Sequence, residues 1–287
     1  MISNGKFYES QFEEATIELL REAHWQYAFG DDIHRKYTDP LIEEDLRNFL
    51  AVQYKDKNLT TSEMDSIVAN LRNTGGQNDY YALRNTFLLY RDGYDFAYSD
   101  GRSNPFRLEY IDFEHPVHNI FRCVNQFVME QGRENRRPDI LLFINGIPVC
   151  IIELKNPTKQ NATIHDAHTQ ICTRYMRDIP ALLKYCALAV ISDGAKNALG
   201  ATYTPFEFFY EWKKIENEDK AGKGLDTLRT LIRGAISPER ILEILRDYVY
   251  FPDPTKEDDT TEIVCRYPQF FATRKLRDHI LNHLRSV

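Results

Sequence analysis

Two carboxylates and a lysine fall within seventeen residues of this chain: Asp139, Glu153 and Lys155. Their neighbours are almost all apolar, in the runs ILLFI after Asp139 and PVCII before Glu153. A carboxylate set among Ile, Leu, Val and Cys is costly, and it survives burial only when paired or bound to a metal. Oxygen donors without histidine or cysteine point to a hard cation, magnesium. Taken singly, Asp139 reads as a turn residue at a strand entry, and Glu153 with Lys155 as a salt-bridged pair at a strand end. Their combination with apolar flanks favours a site. A carboxylate-pair hydrolase acting on sugars is the alternative chemistry, and it needs no metal.

The elements that must position these groups are two strands. Asp139–Ile144 (DILLFI) and Pro148–Leu154 (PVCIIEL) flank Asn145-Gly146, a strong hairpin signal. Both are apolar at nearly every position, as expected of a hairpin covered on both faces. Strand periodicity puts Glu153 and Lys155 on one face. Register decides whether Asp139 joins them. A two-residue Asn-Gly turn pairs Ile144 with Ile147, sets Asp139 opposite Ile152 and sends Glu153 to the other face. A three-residue loop with a bulge sets Asp139 opposite Glu153, with Cβ atoms about 4.5–5.5 Å apart. An irregular turn, or an equivalent bulge or bend, is therefore expected.

Around the hairpin, residues 9–23 read as an amphipathic helix, followed by an aromatic stretch, Trp25 to Phe29. Helices are expected near 41–50 and 61–71, the latter capped by Thr61 or Ser62. Residues 86–113 read as mostly extended, and Asn119–Met129 as a strand leading into the charged loop EQGRENRRP. After the hairpin, a helix over 163–176 starts at a cap-like Thr163-x-x-Asp166 and stops at Pro180. A buried strand, CALAVI, closes at the turn Ser192-Asp193-Gly194. Further helices at 225–233 and 238–249 are split by Gly234, with Ser237 as N-cap and Pro238 at the first helical position. Residues 251–262 look like a linker.

The 287 residues are 43% hydrophobic and 28% charged, a globular composition with a net charge of -7. That charge argues against a uniformly basic grip on nucleic acid. From Val117 to Lys184, however, nine Lys/Arg face six Asp/Glu, so the remaining residues carry -10. The five cysteines, widely spaced, suit reduced core thiols, and a polar N-terminus with no long apolar run suggests a soluble, cytoplasmic protein without membrane contact.

Pro138-Asp139, thirteen residues, then Glu153-Leu154-Lys155 resembles the PD-(D/E)xK nuclease signature. The wider text NQFVMEQGRENRRPDILLFINGIPVCIIELKNP resembles the restriction (R) subunit of type I restriction-modification enzymes. The likeness runs from the FEEATIELLREA helix to RYPQFFATRKL, which looks like the entry to that subunit's motor domain. The resemblance implies that Asp139, Glu153 and the backbone carbonyl of Leu154 hold Mg²⁺, and that Lys155 positions or deprotonates the attacking water. It also implies DNA as substrate, partner methyltransferase (M) and specificity (S) subunits, and ATP use by the full-length subunit. Family members carry Gln-x-x-x-Tyr on the helix after the hairpin. Here Gln170 and Tyr175 are five apart, about 140° around an α-helix, so Gln170 is a candidate phosphate or lysine contact, Arg174 shares its face and Tyr175 fits less well. The family's acidic residue on the first helix would fall on Glu13, with Glu9 and Glu14 open.

The expected architecture is α/β: a mixed sheet flanked by helices, restriction-endonuclease-like, with an N-terminal elaboration. Residues 1–250 would form the endonuclease domain, with its core at about 117–194, and 251–287 a linker and the start of the motor. No GxxxxGK[ST] occurs, so a fragment stopping before the nucleotide-binding loop is expected. The alternative function is a catalytically silent module of this fold that docks the motor onto the methyltransferase core. His165-x-x-His168 reads as helix surface, Arg133, Arg136 and Arg137 as an exposed loop able to touch phosphates, and the aromatics from Phe206 to Trp212 as packing.

Overall fold

The computed structural model describes residues 4–155, 163–216, 222–252 and 260–285. In chain order come α1 (Asn4–Glu22), β1 (Gln26–Phe29), α2 (Glu43–Gln53), α3 (Thr61–Asn73), α4 (Asp79–Asp92), β2 (Tyr94–Phe96), β3 (Phe106–Leu108), β4 (Phe121–Asn125), β5 (Met129–Gln131) and β6 (Glu134–Arg136). The central hairpin is β7 (Ile140–Ile144) and β8 (Ile147–Leu154). Then follow α5 (Ile164–Thr169), a π-helical turn (Gln170–Tyr175), α6 (Met176–Asp178), α7 (Pro180–Leu183), β9 (Leu188–Ser192) and β10 (Asn197–Ala201). The chain closes with α8 (Leu225–Leu231), a second π segment (Ile232–Ile236), α9 (Pro238–Asp247), β11 (Val249–Tyr250), β12 (Ile263–Val264) and α10 (Tyr267–Arg285).

Six strands form one mixed sheet in the order β1-β4-β7-β8-β9-β10. β1 and β4 pair in parallel, as do β8 and β9, and the other neighbours are antiparallel. Helices cover both faces, which is why β7, β8 and β9 are buried at every position. Ile140, Leu142, Ile144, Cys150 and Ile152 belong to the core shared with α1 to α4, α8 and α9. Leu141, Phe143, Ile151, Ala189 and Ile191 pack on the other side against Ala167, Ile171 and Tyr175 of the α5–π–α6 helix. The architecture is α/β with a mixed sheet flanked by helices, as expected.

Of the expected ways to shift the register, an irregular turn or an equivalent bulge or bend, the hairpin uses a bulge. Its connection is the regular two-residue turn, with Asn145 at φ 51° and Gly146 at φ 76°, and Ile144 pairs with Ile147. Gly146 is required there, since a Cβ would meet the Ile42 carbonyl oxygen at 2.1 Å. The register is corrected further along. Phe143 pairs with Pro148 but Leu142 pairs with Cys150, so Val149 is an extra residue on β8. Val149 and Cys150 accordingly both face the same core. From the bulge onward Leu141 faces Ile151 and Ile140 faces Ile152, and the next pair along that register is Asp139 with Glu153.

Elsewhere, residues 79–92 are helical where an extended chain was expected from 86. Asn78 caps this helix by accepting the Tyr81 N–H at 3.0 Å, and Tyr80, Leu83, Phe87 and Tyr90 are buried at helical spacing. The FLLY run is one buried stripe, and its aromatic content imitates a strand. The cap of α3 is Thr60, in a reciprocal capping box with Glu63, one residue before the expected pair. The strand expected over 119–129 is shorter, and the charged loop after it forms the hairpin β5–β6. Gly234 does not break the helix but lies in the second π segment, packed so tightly that a Cβ would sit 2.6 Å from Trp212 Nε1. Residues 253–259 of the expected linker lie outside the described residues. All five cysteines are free, and among the described residues no helix is long and apolar enough to cross a membrane.

Candidate active site

The Val149 bulge puts Asp139, Glu153 and Lys155 on the face of the hairpin that carries Leu141 and Ile151, against the helix after the hairpin. Asp139 precedes β7, and its Oδ2 accepts the backbone N–H of Leu154 at 2.7 Å, which ties the two strand ends together. Continued two steps past Ile140–Ile152, the register sets Pro138 opposite Leu154. A proline at that position has no N–H to offer the ladder. The Lys155 N–H is held by the Ser192 carbonyl on β9 at 2.7 Å.

The side chains of Glu153, Lys155, Gln170 and Tyr175 form a closed ring of hydrogen bonds. The Lys155 ammonium donates to Glu153 Oε1 at 2.8 Å and to Gln170 Oε1 at 2.6 Å. Gln170 Nε2 donates to the Tyr175 hydroxyl at 2.7 Å, and that hydroxyl donates to Glu153 Oε2 at 3.3 Å. Glu153 is 1% exposed. Burial pushes its carboxyl up to about 8, the negative charge of Asp139 adds to the rise, and Lys155 opposes it. Burial also pushes the Tyr175 hydroxyl up, with Glu153 contributing. Lys155 thus offsets only part of what burial and Asp139 do to Glu153, at a cluster of oxygen donors. That donor set fits a hard divalent ion.

Tyr175 reaches the ring because the helix is not α-helical here. Residues 170–175 form a π turn, whose i→i+5 hydrogen bonding brings Gln170 and Tyr175 together at a separation of five. The α-helical spacing that favoured Arg174 over Tyr175 does not hold, and Arg174 lies exposed. Glu13 of α1 accepts from Asn125 Nδ2 at 2.7 Å and from Gln126 Nε2 at 3.1 Å. Asn125 pairs with Ile140, so Glu13 braces the strand next to Asp139 at the same end of the sheet. Glu14 is exposed, and the side chain of Glu9 lies outside the described residues.

Arg136 and His168 differ from the sequence expectation, whereas Arg133, Arg137 and the downstream aromatics agree with it. Arg136 is not a free loop cation: it pairs with Asp178 at 2.7 Å and with Glu134, fastening β5–β6 to α6. Arg133 and Arg137 are exposed. His168 is half-buried rather than surface, with Nε2 at 3.0 Å from the Thr204 carbonyl and its ring against Phe206 and Phe209, so part of the downstream aromatic run does pack. The sequence signal for the bulge was Pro148, which cannot donate to the ladder and sits beside the extra residue. The π turn has no comparable signal.

A mixed α/β domain with this hairpin defines a class that comparison with known proteins makes specific. Over residues 6–208 the chain matches the family described as the N terminus of the type I restriction enzyme R protein, and it belongs to that family. It is 29% identical over 283 residues to the type I restriction enzyme HindI endonuclease subunit of Haemophilus influenzae, covering 94% of this chain and 26% of that protein. A putative type I restriction enzyme MjaIXP endonuclease subunit of Methanocaldococcus jannaschii is 27% identical over 293 residues, covering 94% of this chain and 27% of its own length. The EcoprrI endonuclease subunit of Escherichia coli is 28% identical over 192 residues, 64% of this chain and 56% of that protein. The chain thus spans about a quarter of the length of the first two relatives.

Proposed function

We propose that this chain is the nuclease part of a type I restriction R subunit, with a restriction-endonuclease-like PD-(D/E)xK core that cleaves DNA in a Mg²⁺-dependent reaction. The observation that carries the reading is the buried Glu153 set by the Val149 bulge opposite Asp139, with Lys155 on the same face. The Asp139 and Glu153 carboxylates and the Leu154 carbonyl would hold the ion. Bound there, magnesium supplies Lewis-acid polarisation of the phosphate and a more acidic water. Lys155, fixed between Glu153 and Gln170, orients the water and offsets charge developing on the phosphate. Gln170 and Tyr175 position that lysine, and Glu13 steadies the strand beside Asp139. Residues 251–287 lead toward the motor domain, where ATP would act, and target choice falls to the M and S subunits. One such centre cuts one strand, so a double-strand break needs a second copy or a second event.

The test is Asp139→Ala and, separately, Lys155→Ala in the full subunit assembled with its partners. Both abolish DNA cleavage while leaving ATP hydrolysis and assembly intact. Cleavage at the wild-type rate would instead assign this domain a docking role between motor and methyltransferase.

A further inference from the structure

At the other end of the central hairpin, the segment before β4 gathers two histidines around one buried carboxylate. Asp112 Oδ1 accepts the backbone N–H groups of Glu114 at 3.0 Å and His115 at 2.9 Å, which fixes the turn. Asp112 Oδ2 then faces His118 Nδ1 at 2.8 Å and His115 Nδ1 at 3.4 Å. The two imidazoles stack with centroids 5.0 Å apart, so both present the same ring edge to one oxygen. One ligand atom from each of the three residues lies within 4.8 Å of the others. In a tetrahedral site with metal–ligand distances of about 2.0–2.1 Å, neighbouring ligand atoms stand about 3.3 Å apart. The two measured edges bracket that value.

The frame around the cluster is already rigid. The Asp112 N–H donates to Asn119 Oδ1 at 2.9 Å, Asn119 Nδ2 returns a bond to the Asp112 carbonyl at 2.7 Å, and Asn145 Nδ2 of the hairpin turn donates to Asn119 Oδ1 at 2.8 Å. The histidines are half exposed, so an ion can enter, while the carboxylate is almost fully buried. The surrounding charge suits a cation: Glu109 and Glu114 act on the same region as Asp112. Arg246, which approaches the Phe113 carbonyl, is paired with Asp247, and Arg91 with Asp92. Without an ion, two imidazole nitrogens aimed at one carboxylate oxygen need a proton each to make both contacts favourable. A metal replaces both protons at once.

We propose that Asp112, His115 and His118 form a site for a borderline divalent transition ion, of the Zn²⁺ or Co²⁺ type, that closes the 112–118 segment on itself beside the turn of the β7–β8 hairpin. Nitrogen donors select such ions over magnesium, so this site is chemically distinct from the carboxylate cluster at the far end of the same hairpin. The experiment uses the 287-residue chain in an Asp139→Ala, Glu153→Ala background with excess Mg²⁺, which removes competition from the other cluster. Stripped protein is titrated with Zn²⁺ by calorimetry and with Co²⁺ by visible absorption, alongside Asp112→Asn, His115→Gln and His118→Gln. Expected are one ion per chain, a Co²⁺ spectrum of a nitrogen-ligated site and a raised Tm in Zn²⁺. Each substitution should weaken binding by at least about tenfold. Asp112→Asn retains a side-chain oxygen for the turn, so its loss of binding reports ligation rather than unfolding. Absence of saturable Zn²⁺ binding in the parent, or equal affinity in all three variants, overturns the proposal.

Discussion

Glu153→Gln separates what this carboxylate does for function from what it costs the fold. In the folded chain its carboxyl is pushed from 4.5 up to about 8, which corresponds to about 5 kcal/mol of unfavourable ionisation when fully charged. The folded state therefore holds the proton more tightly than the unfolded state does. The contribution of this group to metal-free stability is fully present below about pH 4.5 and is lost as pH rises through about 8. Glutamine has a similar shape, carries no charge, and its amide oxygen can still accept from Lys155 or Tyr175. Some of the gain is lost because Lys155 gives up its ion-pair partner. At about 2–4 °C per kcal/mol for a domain of this size, the variant should melt about 5–10 °C above the parent at pH 9 in chelator, with little difference at pH 5. Scanning calorimetry at the two pH values, with and without Mg²⁺, measures this directly. Mg²⁺ should raise the Tm of the parent and leave the variant unmoved, and cleavage by the full subunit carrying the variant should vanish. A Tm difference that is the same at pH 5 and pH 9 would refute the placement of an uncompensated charge at this position.

The same proton governs metal uptake: apparent Mg²⁺ affinity, followed by calorimetry, should rise about tenfold per pH unit between about pH 6 and 8 and level off above, with proton release on binding below the plateau. Tyr175→Phe leaves Gln170 Nε2 without its acceptor and Glu153 without one donor, so denaturant titration should show a loss of about 1–2 kcal/mol. Because the Tyr175 hydrogen bond favours the charged carboxylate, that variant should also move the pH midpoint of Mg²⁺ binding upward. Asn145→Ala should cost more, about 3 kcal/mol or above by the same titration. Its fully buried side chain accepts from the Ile120 N–H and donates to Tyr110 and Asn119, and its backbone is left-handed, which alanine tolerates poorly.

Much of this was legible in the residues. Asn145-Gly146 and its apolar flanks fix a hairpin, and strand parity alone shows that an unmodified hairpin would split Asp139 from Glu153. Parity demands one extra residue but does not say where, and the structure puts it at Val149 on β8 rather than in the turn. The contact between Gln170 and Tyr175 was obscured for a different reason. At 100° per residue an α-helix would separate the two, and a π turn is set by packing and hydrogen bonding that no local pattern records. Residues 86–92 fit both a strand and a buried helix stripe by their aromatic and branched side chains, and they are helical. The preceding Asn78 and the spacing of Tyr80, Leu83, Phe87 and Tyr90 carried the answer. The cluster of Asp112, His115 and His118 is spaced three and three, as plain in the sequence as His165 and His168, but the buried carboxylate that unites it appears only in three dimensions.

The π turn at 170–175 acts as a phase corrector in its helix. It lets two residues five apart meet, so that Gln170 reaches Lys155 while Tyr175 reaches Glu153. A length change at that turn can be taken up locally, whereas one placed in α5 would swing everything beyond it by about 100°. What the π turn fixes in this helix is the meeting point of the two side chains beside Glu153 and Lys155.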